Sequence, residues 1–229
     1  MTESQRRGPR WAEAERNDRA LLRAARQVLA ADGEHASVAA IAAAAGVGIG
    51  SLYRRYRTKE ELFQRLAELS LDSWNQAAER GLAEDDPWEG LASFIVTCAE
   101  SGQGALAPIA GTIEVTEEMQ AKSDRSDELL AALVERAHRA GVLRPDVTAV
   151  DISLLIEQFG RSPALDQLRK QGREDLTEAA AAAHKRVLAI AVDGLRTCHP
   201  RPLPGDPPTG RLFTERWAQE AGRSRRTSP

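Results

Sequence analysis

The chain of 229 residues is poor in cysteine: Cys98 and Cys198 stand 100 positions apart, with no C-x-x-C and no histidine at ligand spacing. Neither a disulfide framework nor a zinc site is expected, and a reducing cytoplasm is the simplest setting. No window approaches 18 uninterrupted apolar residues, and the opening MTESQRRGPRWAEAER has no apolar stretch of a secretory leader, so neither a membrane span nor export is expected. The four histidines, His35, His138, His184 and His199, are scattered and lie beside no nucleophile. They form no metal set and no catalytic constellation, so neither a cofactor nor an enzyme is expected. Gly48-Ile49-Gly50 follows no strand and precedes no Lys-Ser/Thr pair, which excludes a phosphate-binding loop. Nothing alternates apolar and polar over strand lengths, and no Asn-Gly or Asp-Gly sits between β-branched runs. The fold class is therefore all-α, with about nine helices expected.

What is present is unevenly charged. The net charge is −3, too acidic for general adhesion to polyanions. Yet residues 1–59 carry eleven Lys and Arg against six Asp and Glu, a net of +5, and the remainder carries twenty against twenty-eight, a net of −8. Opposite signs in two parts of one chain point to a basic module that meets phosphate and an acidic body with another task. At 42% hydrophobic and 28% charged residues, the body has enough apolar material for a real core.

Leu21, Ala24, Ala25, Val28 and Leu29 recur at helical spacing, predicting a first helix of about four turns that stops at Gly33. Ser37 opens a second, shorter helix with Val38, Ile41, Ala42 and Ala45 as its stripe, and Gly46 suits a tight turn at positive φ. A third helix is expected from Gly48 to Tyr56, and Thr58-Lys59-Glu60-Glu61 caps a fourth that runs to about Arg80-Gly81. Pro87 lies early in a fifth. From Leu106 to Gln120, with Pro108 and Gly111, one kinked or short helix is expected, then a separate helix over Leu129–Arg139. Thr148 and Asp151 form a capping arrangement ahead of a helix to Phe159, and residues 175–197 form a last long helix. From His199 the prolines and arginines of HPRPLPGDPPTGR and RSRRTSP predict a mobile tail, with Leu212, Phe213 and Trp217 as one weakly docked helical segment.

Two short helices joined by a glycine-containing turn, the second carrying small residues first and aromatic and basic residues after, form a helix-turn-helix. With ALLRAARQVLAADG before it and SVAAIAAAAGVGIGSLYRRYRTKEELF through it, the stretch 17–63 resembles the tetracycline-repressor (TetR) family of transcriptional regulators without a gap. The resemblance implies a homodimer that binds a double-stranded DNA operator and responds to a small-molecule effector. It places Ser37 at the family's cap of helix two, which also touches phosphate. Gly48, Ile49, Gly50 and Ser51 then stand at the base-facing start of the recognition helix. Tyr53 and Lys59 take positions that reach phosphate, with Arg54 and Arg57 as further DNA contacts, and Tyr56 takes the place of a buried Phe. Because Gly48 and Ile49 lack polar side chains, specificity is expected from Arg54, from Ile49 against a thymine methyl, and from DNA shape.

The domain reading that follows is an arm at 1–16, a DNA-binding head at 17–63, an effector-binding and dimerisation body at 64–198, and the tail at 199–229. Val147–Phe159 is apolar on nearly every side, and the last helix repeats Leu176, Ala180, Ala183, Val187, Ile190 and Gly194 at spacings of three and four. Pairing of these two long helices with their copies is expected to make a four-helix dimer interface. A small apolar effector is expected among helices five to eight, against Trp74, Phe94, Cys98, Ile113, Met119, Val134 and Phe159. Thr97, Thr112, Glu114 and Gln158 are the candidate polar groups of that pocket. Two rivals remain open: a helical small-molecule- or partner-binding protein whose helix-turn-helix is scaffold only, and a helical enzyme acting on an apolar substrate.

Overall fold

The structure, a computed structural model, describes residues 9–197, 201–211 and 215. Among the described residues there are nine α-helices and no strand. The head is built from α1 (Pro9–Asp32), α2 (Val38–Ala44) and α3 (Ile49–Arg55). The helix α4 (Lys59–Ala83) then runs out of the head into the body, where α5 (Pro87–Glu100), α6 (Glu117–Arg139), α7 (Ala149–Phe159), α8 (Pro163–Lys170) and α9 (Thr177–Asp193) follow.

Local chemistry explains most of these boundaries. Ser37, Thr58, Thr116 and Thr148 each accept a backbone N–H in the first turn of the helix that follows, and Asp86 caps α5 ahead of Pro87. Thr148 and Asp151 complete a reciprocal capping box. Between α2 and α3, Gly46 takes φ 69°, and the Val47 and Gly46 N–H groups return to Ala42 O and Ala43 O at 3.0 and 3.1 Å. That closure satisfies the last carbonyls of α2 and turns the chain sharply into α3.

Four expectations need correction. The first helix begins at Pro9, so residues 9–16 of the arm are helical. The segment Leu106–Gln120 is not one short helix but a series of turns with a 3-10 turn at Ala107–Ile109, followed by the start of α6. That helix runs unbroken through the polar stretch 120–128, which lacks apolar periodicity yet contains no glycine or proline to stop it. Its polar groups find partners on α4: Lys122 Nζ lies 3.0 Å from Asp72, and Ser126 Oγ donates to Asn75 Oδ1 at 2.7 Å. The last helix is shorter than the expected 175–197, because a 3-10 turn at Glu174–Leu176 precedes it and Gly194 ends it, and Pro163 opens an additional helix, α8, that was not expected. The tail is tied to the body at its start: Arg144 pairs with Asp146 and donates to Arg201 O at 2.7 Å, and Asp146 accepts the Leu203 N–H. The pair with Arg144 holds the Asp146 carboxyl down to about 2. Leu212, Phe213, Trp217 and Cys198 lie outside the described residues.

Two apolar cores result. One sits in the body, around Leu91, Phe94, Ile95, Leu133, Ile152 and Ile156. The other fills the head, around Leu29, Ile41, Leu62 and Leu66, and takes in Leu106, Ile109 and Ile113 from the α5–α6 connection and Met119 from the first turn of α6. The body thus contributes side chains to the head's own core, which makes the junction apolar and close-packed rather than a loose linker.

Candidate nucleic-acid interface

The recognition helix is short, and only Leu52 of its seven residues is buried; Tyr56, just beyond its end, is the second anchor. Two anchors leave Ile49, Gly50, Ser51, Tyr53 and Arg54 on the open face. Ile49 is 45% and Tyr53 49% exposed, in a head whose other large apolar side chains are mostly covered. Arg54 Nη2 donates to Ser51 Oγ at 2.8 Å, so these two polar groups are held together on the surface. Arg57 and Lys59 follow, both exposed, with Lys59 Nζ 5.0 Å above the Phe63 ring. Glu61 Oε2 accepts the Arg57 N–H at 2.6 Å, and Thr58 Oγ1 accepts the Glu61 N–H at 3.0 Å, fixing the backbone between α3 and α4. Ser37 is exposed with Oγ accepting the Ala40 N–H at 3.0 Å, a cap that leaves its hydroxyl proton available to a phosphate.

The adjacent arginine behaves differently. Arg55 turns back 2.7 Å onto Asp18 of α1, and Arg65 of α4 reaches the same carboxylate at 3.2 Å. Asp18 thereby staples three helices of the head, and Arg55 is structural. Burial raises the Tyr56 phenol, with the Arg55 guanidinium opposing it, so that ring stays a neutral packing group.

The glycines are informative for what they do not contact. A Cβ at Gly50 would meet nothing closer than 4.0 Å, and one at Gly48 nothing closer than 3.9 Å. Neither has positive φ. Gly48 has the excuse of the helix cap, where glycine is tolerated. Gly50, inside the helix, is required by nothing in the protein's own packing and weakens α3 relative to alanine. A backbone kept bare on the exposed leading end of a basic helix suits close approach to a DNA groove.

The model for bacterial regulatory proteins of the tetR family matches residues 21–66, and that for the SbtR-like C-terminal domain of transcriptional regulators matches residues 86–197. The chain belongs to the tetR family. It is 36% identical over 138 residues to the HTH-type transcriptional repressor LfrR of Mycolicibacterium smegmatis, a match spanning 58% of this chain and 69% of that protein. A TetR transcription regulatory protein from Mycobacterium vanbaalenii shares 26% identity with a TM-score of 0.53, the match covering 82% of this chain and 100% of that one. The TetR regulator SCO0520 of Streptomyces coelicolor, at 24% identity and a TM-score of 0.52, shares the fold over 79% of this chain and 99% of its own. The family is one of transcriptional regulators, not enzymes. Among the described residues no helix is long and apolar enough to cross a membrane.

The eleven residues expected around an effector do not converge on one cavity. Trp74, Phe94, Cys98, Val134 and Phe159 belong to the body core, where Trp74 packs edge-to-face on Phe94 at 5.0 Å. Burial pushes the Cys98 thiol up to about 12. Ile113 and Met119 belong to the head core instead. Thr97, Thr112, Glu114 and Gln158 are exposed. Thr112 Oγ1 donates to Ile109 O, and Glu114 bonds through its backbone to Glu60 and Gln64 of α4. Thr112 and Ile113 line a small pocket of about 270 Å³ beside Lys59 and Phe63. Phe159 alone of the eleven lines a much larger cleft, about 990 Å³, between the head and α8 and α9. That cleft draws residues from Asp18 to Lys185, a grouping with no short-range signature in the chain.

Proposed function

We propose that the protein is a repressor that grips a pseudo-palindromic operator in double-stranded DNA as a homodimer and is released when a small molecule changes the spacing of its two heads. The observation that carries the reading is the leading end of α3: bare backbone at Gly50, exposed Ile49 and Tyr53, and exposed Arg54, Arg57 and Lys59 beyond. Small and apolar groups reach base edges while the cations and Ser37 hold phosphates. For the dimer, α9 turns Leu188 and Val192 inward and leaves Val187 and Ile190 at 52% and 62% exposure. These two, with Ala183 one turn before, form a narrow apolar seam suited to a twofold helix pair with α7. Two heads so joined would read half-sites about one helical turn, ~34–36 Å, or a multiple apart.

Fluorescence anisotropy with fragments from upstream of the protein's own gene tests this. Three exposed cations per head, six per dimer, predict a slope of about −5 in log affinity against log salt, at roughly −0.9 per phosphate. A protein that only uses the helix-turn-helix as scaffold gives no binding to any fragment, and that result ends the proposal.

A further inference from the structure

The large cleft is walled on one side by the head and on the other by the body, and its charge is one-sided. Arg19, Arg23 and Arg26 come from α1, and Arg161, Arg169 and Lys185 face them from the α7–α8 turn, α8 and α9. With Arg55 and Arg65, eight cationic side chains line the space against four acids. Four of those cations are paired with these acids, Arg55 and Arg65 with Asp18, Arg169 with Asp166 and Lys185 with Glu100, while Asp72 is held by Lys122, so eight cations against four acids leave the lining a formal net of +4. An excess of positive charge inside a concave, partly desolvated space attracts anions more strongly than the same charge on a convex surface.

A second observation singles out one donor. Arg26 is 6% exposed, and although its Nη atoms reach Ser101 O and Ser70 Oγ, its buried Nε–H has no acceptor on the protein. Burial holds its pKa to about 10, so the guanidinium remains charged at neutral pH. A buried, charged donor left without an acceptor costs free energy that an oxyanion would offset. Leu22, Leu69 and Phe159 line the same cleft and supply apolar wall.

We propose that this cleft is the effector site and that the effector is an amphipathic organic oxyanion, a carboxylate or phosphate set against Arg26 with its apolar part against Leu22, Leu69 and Phe159. The site bridges α1 to α8 and α9, so its occupant binds unequally to different head positions, which is the requirement for control of operator affinity. This rests on the regulator reading above and replaces an apolar effector with an anionic one.

The test uses the full chain without DNA. Decanoate and decyl phosphate are titrated calorimetrically below their micelle concentrations, with decanol and decyltrimethylammonium as neutral and cationic counterparts. One saturable site per chain for either anion is expected, the two arms separating a carboxylate from a phosphate ligand, with neither counterpart binding. Arg26→Lys, which removes the Nε–H but keeps the charge, and Arg23→Gln, at an exposed position on the same wall, are expected to weaken the anion about tenfold each while circular dichroism stays native. Equal binding of decanol or the ammonium probe, no saturable site for either anion, or unchanged affinity in both variants overturns the proposal. Operator binding by the unliganded protein is measured apart. Its absence alongside intact anion binding would defeat the regulator reading and leave the cleft assignment standing.

Discussion

Gly50→Ala separates what the protein needs from what its DNA needs. The added methyl meets nothing within 4.0 Å except the distal end of the flexible Arg54 side chain, and the backbone there is not in the left-handed region. Alanine in a helix is better than glycine by about 0.5–1 kcal/mol, so the variant should fold more stably. For a chain of this size that is a rise in Tm of about 1–4 °C, read by thermal denaturation. On DNA the sign reverses. A methyl forced between closely packed surfaces costs about 1–3 kcal/mol per site, and a dimer places it twice. The expected loss is at least about 2 kcal/mol, close to thirtyfold in Kd by anisotropy on the operator fragment. A raised Tm with unchanged Kd would show that the bare backbone serves no DNA contact. A lowered Tm would refute the clearance argument itself.

Four further outcomes follow from the same coordinates. Ile49→Ala should flatten sequence preference at one base step per half-site by about 1–3 kcal/mol while leaving the salt slope unchanged, measured by selection from a randomised operator library; an intact preference contradicts the thymine-methyl contact. Ile190→Glu, at a position 62% exposed in the single chain, should give a species of 24.9 kDa by light scattering instead of twice that mass; a dimer surviving the charge would move the interface elsewhere. Gly160→Ala should lower stability by about 1–3 kcal/mol, because its Cβ would overlap the Gln103 carbonyl, and an unchanged Tm would show that contact to be loose. Cys98, with its thiol pushed from 9.0 up to about 12, should be alkylated at pH 8 about a thousandfold more slowly than an unfolded thiol in a Cys198→Ser background. The folded value lies above the unfolded one, so this contribution to stability is complete below pH 9 and is lost as pH climbs toward 12. Mass spectrometry after timed iodoacetamide treatment checks the rate, and labelling at the free-thiol rate would show the site to be open.

The helix starts and the tight turn were legible in the sequence because their signals are local. Ser37, Gly46, Thr58 and the Thr148–Asp151 box each act on backbone groups within a few residues, so spacing alone specifies them. Where the chain carried no apolar rhythm the reading failed. Residues 120–128 are helical because Lys122 and Ser126 bond across to α4, partners some fifty positions away. The residues expected around an effector do not share one cavity for a related reason: Phe94, Cys98 and Val134 are apolar in the way any core residue is, and periodicity does not tell a filled core from a pocket. Nor does spacing reveal that Arg55 turns inward to Asp18, 37 positions earlier, while Arg54 remains on the surface.

The link between body and head is most clearly seen at the turn 101–105. Arg26 of α1 donates to Ser101 O and Ser70 Oγ; Ser70 Oγ in turn donates to Gln103 Oε1 at 2.6 Å, and Gln103 Nε2 to Ser70 O at 3.0 Å. Gln103 is 5% exposed, and its carbonyl abuts Gly160 at the end of α7. Separating a buried guanidinium or a buried amide from these partners costs several kcal/mol, more than a modest change of helix angle releases. Small displacements therefore carry α1, the turn and the end of α7 together instead of parting them. Any displacement of the head is then expected to carry α7, one of the two helices proposed for the dimer seam, and Arg26 lies between them. A ligand on the unpartnered Nε–H of Arg26, as proposed, would act on α1 directly, and the apolar junction at Leu106, Ile109 and Ile113 offers a route for that displacement to the core on which α3 is anchored.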